Sequence, residues 1–290
     1  GVVEAAALDA WGKGLPDWKV QAGAIVWGTA RRGKPDGAGE WTHLYADAGN
    51  TACSGDELAQ GGFALQWFGQ PGPRVAVNRH MRNTAPLCRD GRLFLHGLDG
   101  ITAVDAYNGS ILWRREATNT IRLAASLDGG NMALGGDSLF VAAGDKCIEI
   151  NAVNGAERRV FASPQRAAGP KTRWGLVVVT DGVLLGSSVA VAGAYRMTED
   201  VYGGAMVCSD ALFGMDTRSG VRLWGCSSTG MIPNPAIAAG GSRVFFVESA
   251  DPETKKTGNG RMNAQALLAK KGAFLVALDV RPGSMGASGS

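Results

Sequence analysis

The chain has 290 residues, 45% of them hydrophobic and 43 of them glycine, with a formal charge of +3. That length suits one large all-β domain or two ordinary ones, and glycine stands at about twice its usual share of roughly 7%, which implies many tight turns. The small charge and the lack of a basic tract exclude an electrostatic footprint for nucleic acid; the most apolar stretch, Gly175 to Tyr195, is broken by Asp181-Gly182 and β-rich, which excludes a helical membrane span.

In chain order, residues 1–40 read as an N-terminal segment, or a worn repeat plus a linker. Ala7-Leu8-Asp9-Ala10-Trp11 has the outline of a degraded repeat phrase, Lys19 to Thr29 alternates weakly as a strand pair, and Arg31 to Gly39 has linker composition. Gly1-Val2-Val3-Glu4 is neither a start methionine nor a charged leader, so a signal peptide is expected to be absent or already removed, and the chain to be processed or a fragment. Residues 41–290 have a different texture. Phe63-Ala64-Leu65-Gln66-Trp67 reads as a short strand ending in Trp.

Strand signals then come at short intervals. Asp90-Gly91, Asp99-Gly100 and Asn108-Gly109 each separate two apolar runs, a strong hairpin signal because these residues tolerate positive φ. The pattern predicts four-stranded antiparallel units. The second unit uses Asn131 to Leu134, Ser138 to Ala142, Cys147 to Ile150 and Arg158 to Phe161. The third uses Gly175 to Val179, Val183 to Ser187, Ala211 to Met215 and Val221 to Trp224, with an insertion from Ala190 to Cys208. The fourth uses Pro235 to Ala238, Arg243 to Val247 and Phe274 to Leu278, interrupted by a polar insertion, Asp251 to Leu268, with a short helix at Asn263 to Lys270. Asp251 to Gly260 is expected to be a flexible surface loop, and Gly129-Gly130 and Gly135-Gly136 to be hairpin turns.

A phrase recurs through these units. Asp105-Ala-Tyr-Asn-Gly109-Ser-Ile-Leu-Trp113 and Asp216-Thr-Arg-Ser-Gly220-Val-Arg-Leu-Trp224 share one form; Asn151 to Arg159 keeps the turn but loses the Asp and the Trp; a fourth copy begins at Ala277-Leu278-Asp279. A repeat that cannot bury its own apolar face must stack on neighbours. Asp105 and Asp216 are read as turn-fixing acceptors, Gly109 and Gly220 as turn glycines, and Trp113 and Trp224 as rings packing across to the next unit. The fold class is therefore all-β, a β-propeller of four-stranded antiparallel blades, with about four to five blades present and the last stopping before its outer strand.

Few residues point to chemistry. Arg74, Arg79, His80 and Arg82 form the densest polar cluster, in the loop entering the first legible blade, and guanidinium forks there would grip a carboxylate or phosphate on a ligand or partner. His43, His80 and His96 have no metal-ligand spacing. The five cysteines, Cys53, Cys88, Cys147, Cys208 and Cys226, contain no C-x-x-C pair and read as buried thiols, with a Cys208–Cys226 disulfide as the alternative.

The repeat phrases, with Trp41…Asp47…Asn50-Thr51…Ser54…Trp67 before them, resemble the PQQ-like propeller family over about residues 41 to 283. That family includes quinoprotein alcohol dehydrogenases and the bacterial outer-membrane lipoprotein that scaffolds β-barrel assembly. The enzymatic branch implies adjacent cysteines over the quinone, a Trp beneath it, Glu and Asn oxygens on Ca²⁺ and an Asp base. This chain has no adjacent cysteines, and Glu116, Glu199 and Asp200 form no recognisable metal set. The resemblance thus implies a non-catalytic bacterial scaffold or interaction module, part of a larger protein, periplasmic or otherwise extracytoplasmic. Its partner would be a protein or another domain of the same chain, with no cofactor. The alternatives are a fragment of a PQQ-dependent dehydrogenase, which would take PQQ with calcium, and a regulatory propeller fused to an unrelated catalytic domain such as a methyltransferase.

Overall fold

The computed structural model describes residues 4–30, 34–69, 84–98, 100–122, 124–166, 171–190, 203–256 and 259–281. The chain divides into two compact units, residues 1–39 with 55–62, and residues 40–54 with 63–290.

In the first unit, Ala5–Gly12 form helix α1, and Lys19–Gln21 (β1) pairs antiparallel with Trp27–Thr29 (β2). The Ala7–Trp11 phrase is therefore helical rather than a worn repeat: no turn glycine follows Asp9, and the Ala- and Leu-rich run favours helix. Trp18 holds the unit together. Its ring lies over Gly12 and Gly28, meets Trp11 edge-on at 6.2 Å, and donates from Nε1 to Asp9 at 3.0 Å.

Among the described residues the second unit contains four antiparallel sheets, each an up-and-down meander. Sheet 1 is β3 (Leu87–Arg89), β4 (Arg92–Gly97), β5 (Gly100–Asp105) and β6 (Ile111–Glu116). Sheet 2 is β7 (Met132–Gly135), β8 (Ser138–Ala143), β9 (Lys146–Asn151) and β10 (Glu157–Ala162). Sheet 3 is β11 (Arg173–Thr180), β12 (Val183–Val189), β13 (Met206–Asp216) and β14 (Arg222–Pro233), with β17 (Arg261–Met262) added to the early end of β13. Sheet 4 has three strands among the described residues, β15 (Ile237–Gly240), β16 (Arg243–Ser249) and β18 (Ala273–Asp279).

First strands lie inside, β7 against β3 and β11, and β11 against β15. Last strands lie outside, as the exposure of Ile111, Leu112, Val160 and Leu223 shows. These are propeller blades. A separate core fills each gap between successive sheets: Phe94, Trp113, Leu134 and Ile150 between the first two, Phe140, Phe161, Trp174 and Phe213 between the next, and Leu185, Ile232, Val244 and Phe246 between the last pair.

Several local expectations need correction. Residues 63–69 are not a strand; an isolated extended segment has no ladder partner, and none lies beside it among the described residues. Gly129-Gly130 is not a hairpin turn: Gly129, at φ +80° and ψ 171°, follows the short helix α2 (Ala125–Asp128) in a backbone conformation open to glycine. Asp251 to Gly260 is not a loose loop in its described part. Pro252–Lys256 make a 3-10 turn, Asp251 and Thr254 are buried, and the Thr254 hydroxyl accepts from Met231 N–H at 2.9 Å. The predicted short helix is present as α3 (Ala264–Leu268), capped by Asn263, whose Oδ1 accepts from Ala266 N–H at 2.7 Å. All five cysteines are thiols, Cys147 and Cys208 buried and Cys53 exposed, so Cys208 and Cys226 are not bridged.

Candidate functional site: the axial segment and its flanking cleft

The inner edge of a first strand carries backbone N–H groups that no neighbouring strand satisfies, and buried donors of this kind must find acceptors. Residues 41–50 supply them for all four sheets. Trp41 exchanges both backbone hydrogen bonds with Cys88 on β3, at 2.9 and 2.7 Å. The Thr42 carbonyl accepts from Leu134 N–H on β7 at 2.9 Å. His43 Nε2 accepts from Val179 N–H on β11 at 3.1 Å. The Ala48 carbonyl accepts from Ala239 N–H on β15 at 2.7 Å, and Asn50 donates from Nδ2 to the Ile237 carbonyl at 2.9 Å.

Local chemistry shapes this segment. Ala46 is buried at φ +73°, and its carbonyl accepts from Thr42 N–H at 2.6 Å, closing a tight turn. Asp47 builds the next turn: Oδ1 accepts from Gly49 and Thr51 N–H at 2.9 and 3.1 Å, and Oδ2 from the Thr51 hydroxyl at 2.6 Å. Burial opposes the Asp47 charge, but the Thr51 and Gly49 hydrogen bonds outweigh it and hold the carboxyl below its ordinary range.

His43 is buried and its pKa is lowered to about 4, first by desolvation. Geometry gives the same protonation state. Nε2 accepts an amide proton, which only an unprotonated nitrogen can do, so the proton sits on Nδ1 and is donated to Thr42 Oγ1 at 2.8 Å. The Thr42 hydroxyl passes the chain on to the Ala46 carbonyl at 3.2 Å.

Beside the segment, where the first hairpins of sheets 2 and 3 turn, lies a cleft of about 550 Å³. Two of the arginines that line it, Arg89 and Arg158, are each paired with a carboxylate. Arg89 pairs with Glu40 at 2.9 Å and reaches the Gly136 carbonyl at 3.3 Å. Arg158 forks onto both oxygens of Asp137 at 2.7 Å and also donates to Ser138 Oγ, which in turn donates to Glu149. At the opposite end of the same sheets a cavity of about 40 Å³ is lined by Arg122, Arg173, Arg261 and Asp128. Arg122 is half-buried there and donates to the carbonyls of Trp174 and Gly175.

The repeat residues form a second constellation, a set of clamps joining each outer strand to the next sheet. Trp113 of β6 donates from Nε1 to the Ala152 carbonyl of sheet 2 at 3.1 Å. Arg159 of β10 donates to the Thr217 and Arg218 carbonyls of sheet 3 at 3.0 and 2.6 Å. Trp224 of β14 donates to the Val280 carbonyl beyond β18 at 2.7 Å. The accepting turns are built alike. Asp105 accepts from the N–H groups of Tyr107 and Asn108, Asn151 from those of Val153 and Asn154, and Asp216 from those of Arg218 and Ser219. Arg281 and the Ser219 groups hold the Asp216 carboxyl far below its usual range. A Cβ on Gly155, at φ +74°, would come within 2.8 Å of the Trp113 ring, so this turn needs glycine both for its backbone and for the indole above it.

Arg159 is the member that a search for Asp and Trp misses. The signal was its position, eight residues after Asn151 as Trp113 is after Asp105 and Trp224 after Asp216. Arg74, Arg79, His80 and Arg82 lie outside the described residues, as do Glu199 and Asp200. His96 lies in β4, buried, with Nε2 2.9 Å from Thr120 Oγ1.

The chain matches the family model described as outer membrane protein assembly factor BamB over residues 74–167 and 98–285. The chain belongs to the PQQ-like propeller family. Two solved structures share this fold. One is the quinohemoprotein alcohol dehydrogenase ADHIIG of Pseudomonas putida HK5, with a TM-score of 0.53 and 12% identity over 83% of this chain and 38% of that one. The other is the quinohemoprotein alcohol dehydrogenase of Comamonas testosteroni, with a TM-score of 0.51 and 14% identity over 83% and 39%. The chain thus spans well under half of either enzyme, and at such identity the likeness is one of fold. No curated protein sequence matches it.

PQQ with Ca²⁺ can be tested against this member of the PQQ-like family. Ca²⁺ requires six to eight oxygens. Among the described residues no three His, Cys, Asp or Glu side chains converge as metal ligands. Asp47 is engaged by its turn, Asp137 by Arg158 and Glu149 by Ser138.

Proposed function

We propose that this PQQ-like propeller is a non-catalytic scaffold or interaction module. It presents blade turns and outer strands to a protein partner, or to another domain of its own polypeptide, outside the cytoplasm. One observation carries the reading: residues 41–50 meet the inner-edge donors of all four sheets with the chain's own atoms, so the axis is committed to structure. The paired charges of the cleft support it, since a group already neutralised by a neighbour is a poor acid, base or nucleophile. The matched family description, an outer-membrane assembly factor, supports both the interaction role and the location. In this reading the Arg74, Arg79, His80 and Arg82 loop supplies guanidinium forks for carboxylates on the partner.

The test is titration of the 290-residue chain with PQQ and Ca²⁺, followed by quinone absorbance and by dye reduction with a primary alcohol. The expected result is neither a spectral shift nor dye reduction. Alcohol-dependent reduction would overturn the scaffold reading in favour of a dehydrogenase.

A further inference from the structure

The clamp between successive sheets occurs once more than the sheets require. Trp67 donates from Nε1 to the Ala106 carbonyl at 3.0 Å, and its ring covers Gly109 in sheet 1. Gln66 adds a bond from Nε2 to the Tyr107 carbonyl at 3.0 Å. This is the contact that Trp113 makes with Ala152 and Gly155, and that Trp224 makes with Val280. In each case the acceptor is the residue after the Asp or Asn that opens the turn. Trp67 therefore occupies the place of an outer-strand residue from a blade preceding sheet 1. Its own segment has no sheet: Phe63, Leu65 and Phe68 are 89%, 80% and 94% exposed.

Sheet 4 has the converse defect. Among the described residues β18 pairs only with β16 and leaves Phe274 and Leu275 exposed at its free edge. The ladder registers say what belongs there. Trp113 lies opposite Ala103, two residues before Asp105, and Trp224 lies opposite Gly214, two residues before Asp216. Where the clamp is Arg159, the residue opposite is Glu149. A small residue thus goes with an indole and a carboxylate with a guanidinium. Two residues before Asp279 stands Ala277, small and exposed, so the strand that pairs at this edge should bring a Trp.

We propose that the strand completing sheet 4 is Phe63–Phe68 of a second copy of this chain, with the second copy's Trp67 opposite Ala277. The junction continues an interface already made between each pair of successive sheets: strand pairing on one side of the indole, the clamp on the other. Made reciprocally, the contact is isologous, each copy completing sheet 4 of the other. The inference does not rest on the scaffold reading and holds for an enzyme equally.

Sedimentation equilibrium at micromolar concentration tests it first. The expected mass is twice the 30.1 kDa of one chain. Ala277→Glu, at an exposed position, should leave the far-ultraviolet spectrum and the thermal midpoint of the monomer intact while abolishing the dimer. In a Cys53→Ser background, Phe68→Cys with Val276→Cys should yield a disulfide-linked dimer on mild oxidation, and neither single variant should. A monomeric wild-type chain, or a dimer unaffected by Ala277→Glu, would overturn the proposal.

Discussion

At the scale of the residue, His43 is the most consequential side chain of the axis. Its ring links sheet 3 to the segment that crosses every sheet, and it does so only when neutral. The folded imidazole resists protonation down to about pH 4, whereas the unfolded one takes its proton near 6.5. Between those values the unfolded state binds more protons, so stability falls as pH drops through 6.5 and the loss levels off below 4. From pH 7 to 5 this amounts to about 2 kcal/mol. Urea unfolding should show that decline in the wild type and a flatter profile in His43→Gln, whose amide oxygen can still accept from Val179. Equal slopes in both proteins would remove His43 as the cause.

At the scale of the element, the axial segment is held from within by Asp47 and from without by four strands. Asp47→Ala removes acceptors for two amides and a hydroxyl, a change worth about 2 kcal/mol. The segment should then open locally without global unfolding, and the Leu134 and Ala239 amides should exchange with solvent at least about tenfold faster. Protection unchanged at both sites would mean that the segment is fixed elsewhere. The sheets flanking it were readable from sequence because Asn108-Gly109, Asp181-Gly182 and their neighbours encode turns in side-chain identity. The segment was not. Trp41, Thr42 and Ala48 bind through backbone carbonyls, which every residue possesses, and His43 looks the same whether it faces a ligand or Val179 N–H. The Trp67 segment was half readable: the repeat pattern marked the Trp, but strand formation depends on a partner that periodicity does not reveal.

At the scale of the whole molecule, four blades are stacked in series, each core filled by one pair of sheets and each junction closed by one clamp. Stability in such an array is a sum of blade terms and nearest-neighbour terms. Trp113 is 8% exposed and packs on Phe94 at 5.9 Å besides bonding to Ala152, so Trp113→Ala should cost about 3–5 kcal/mol. Because the loss falls on one junction, calorimetry should resolve two transitions where the wild type shows one. A single transition at the wild-type midpoint would show that the blades are coupled by some other route.

The segment that crosses the sheets precedes all of them in the chain, and this orders events at the ribosome. Asn50 and the carbonyl it binds, that of Ile237, are 187 residues apart. At about 5–20 residues per second, synthesis of the intervening chain takes roughly 10 to 40 seconds. Through that interval the nascent axis is an acceptor-rich ribbon without its last donors, and each blade that emerges finds its seat already laid. Construction proceeds outward from a thread, and the thread is tied off last.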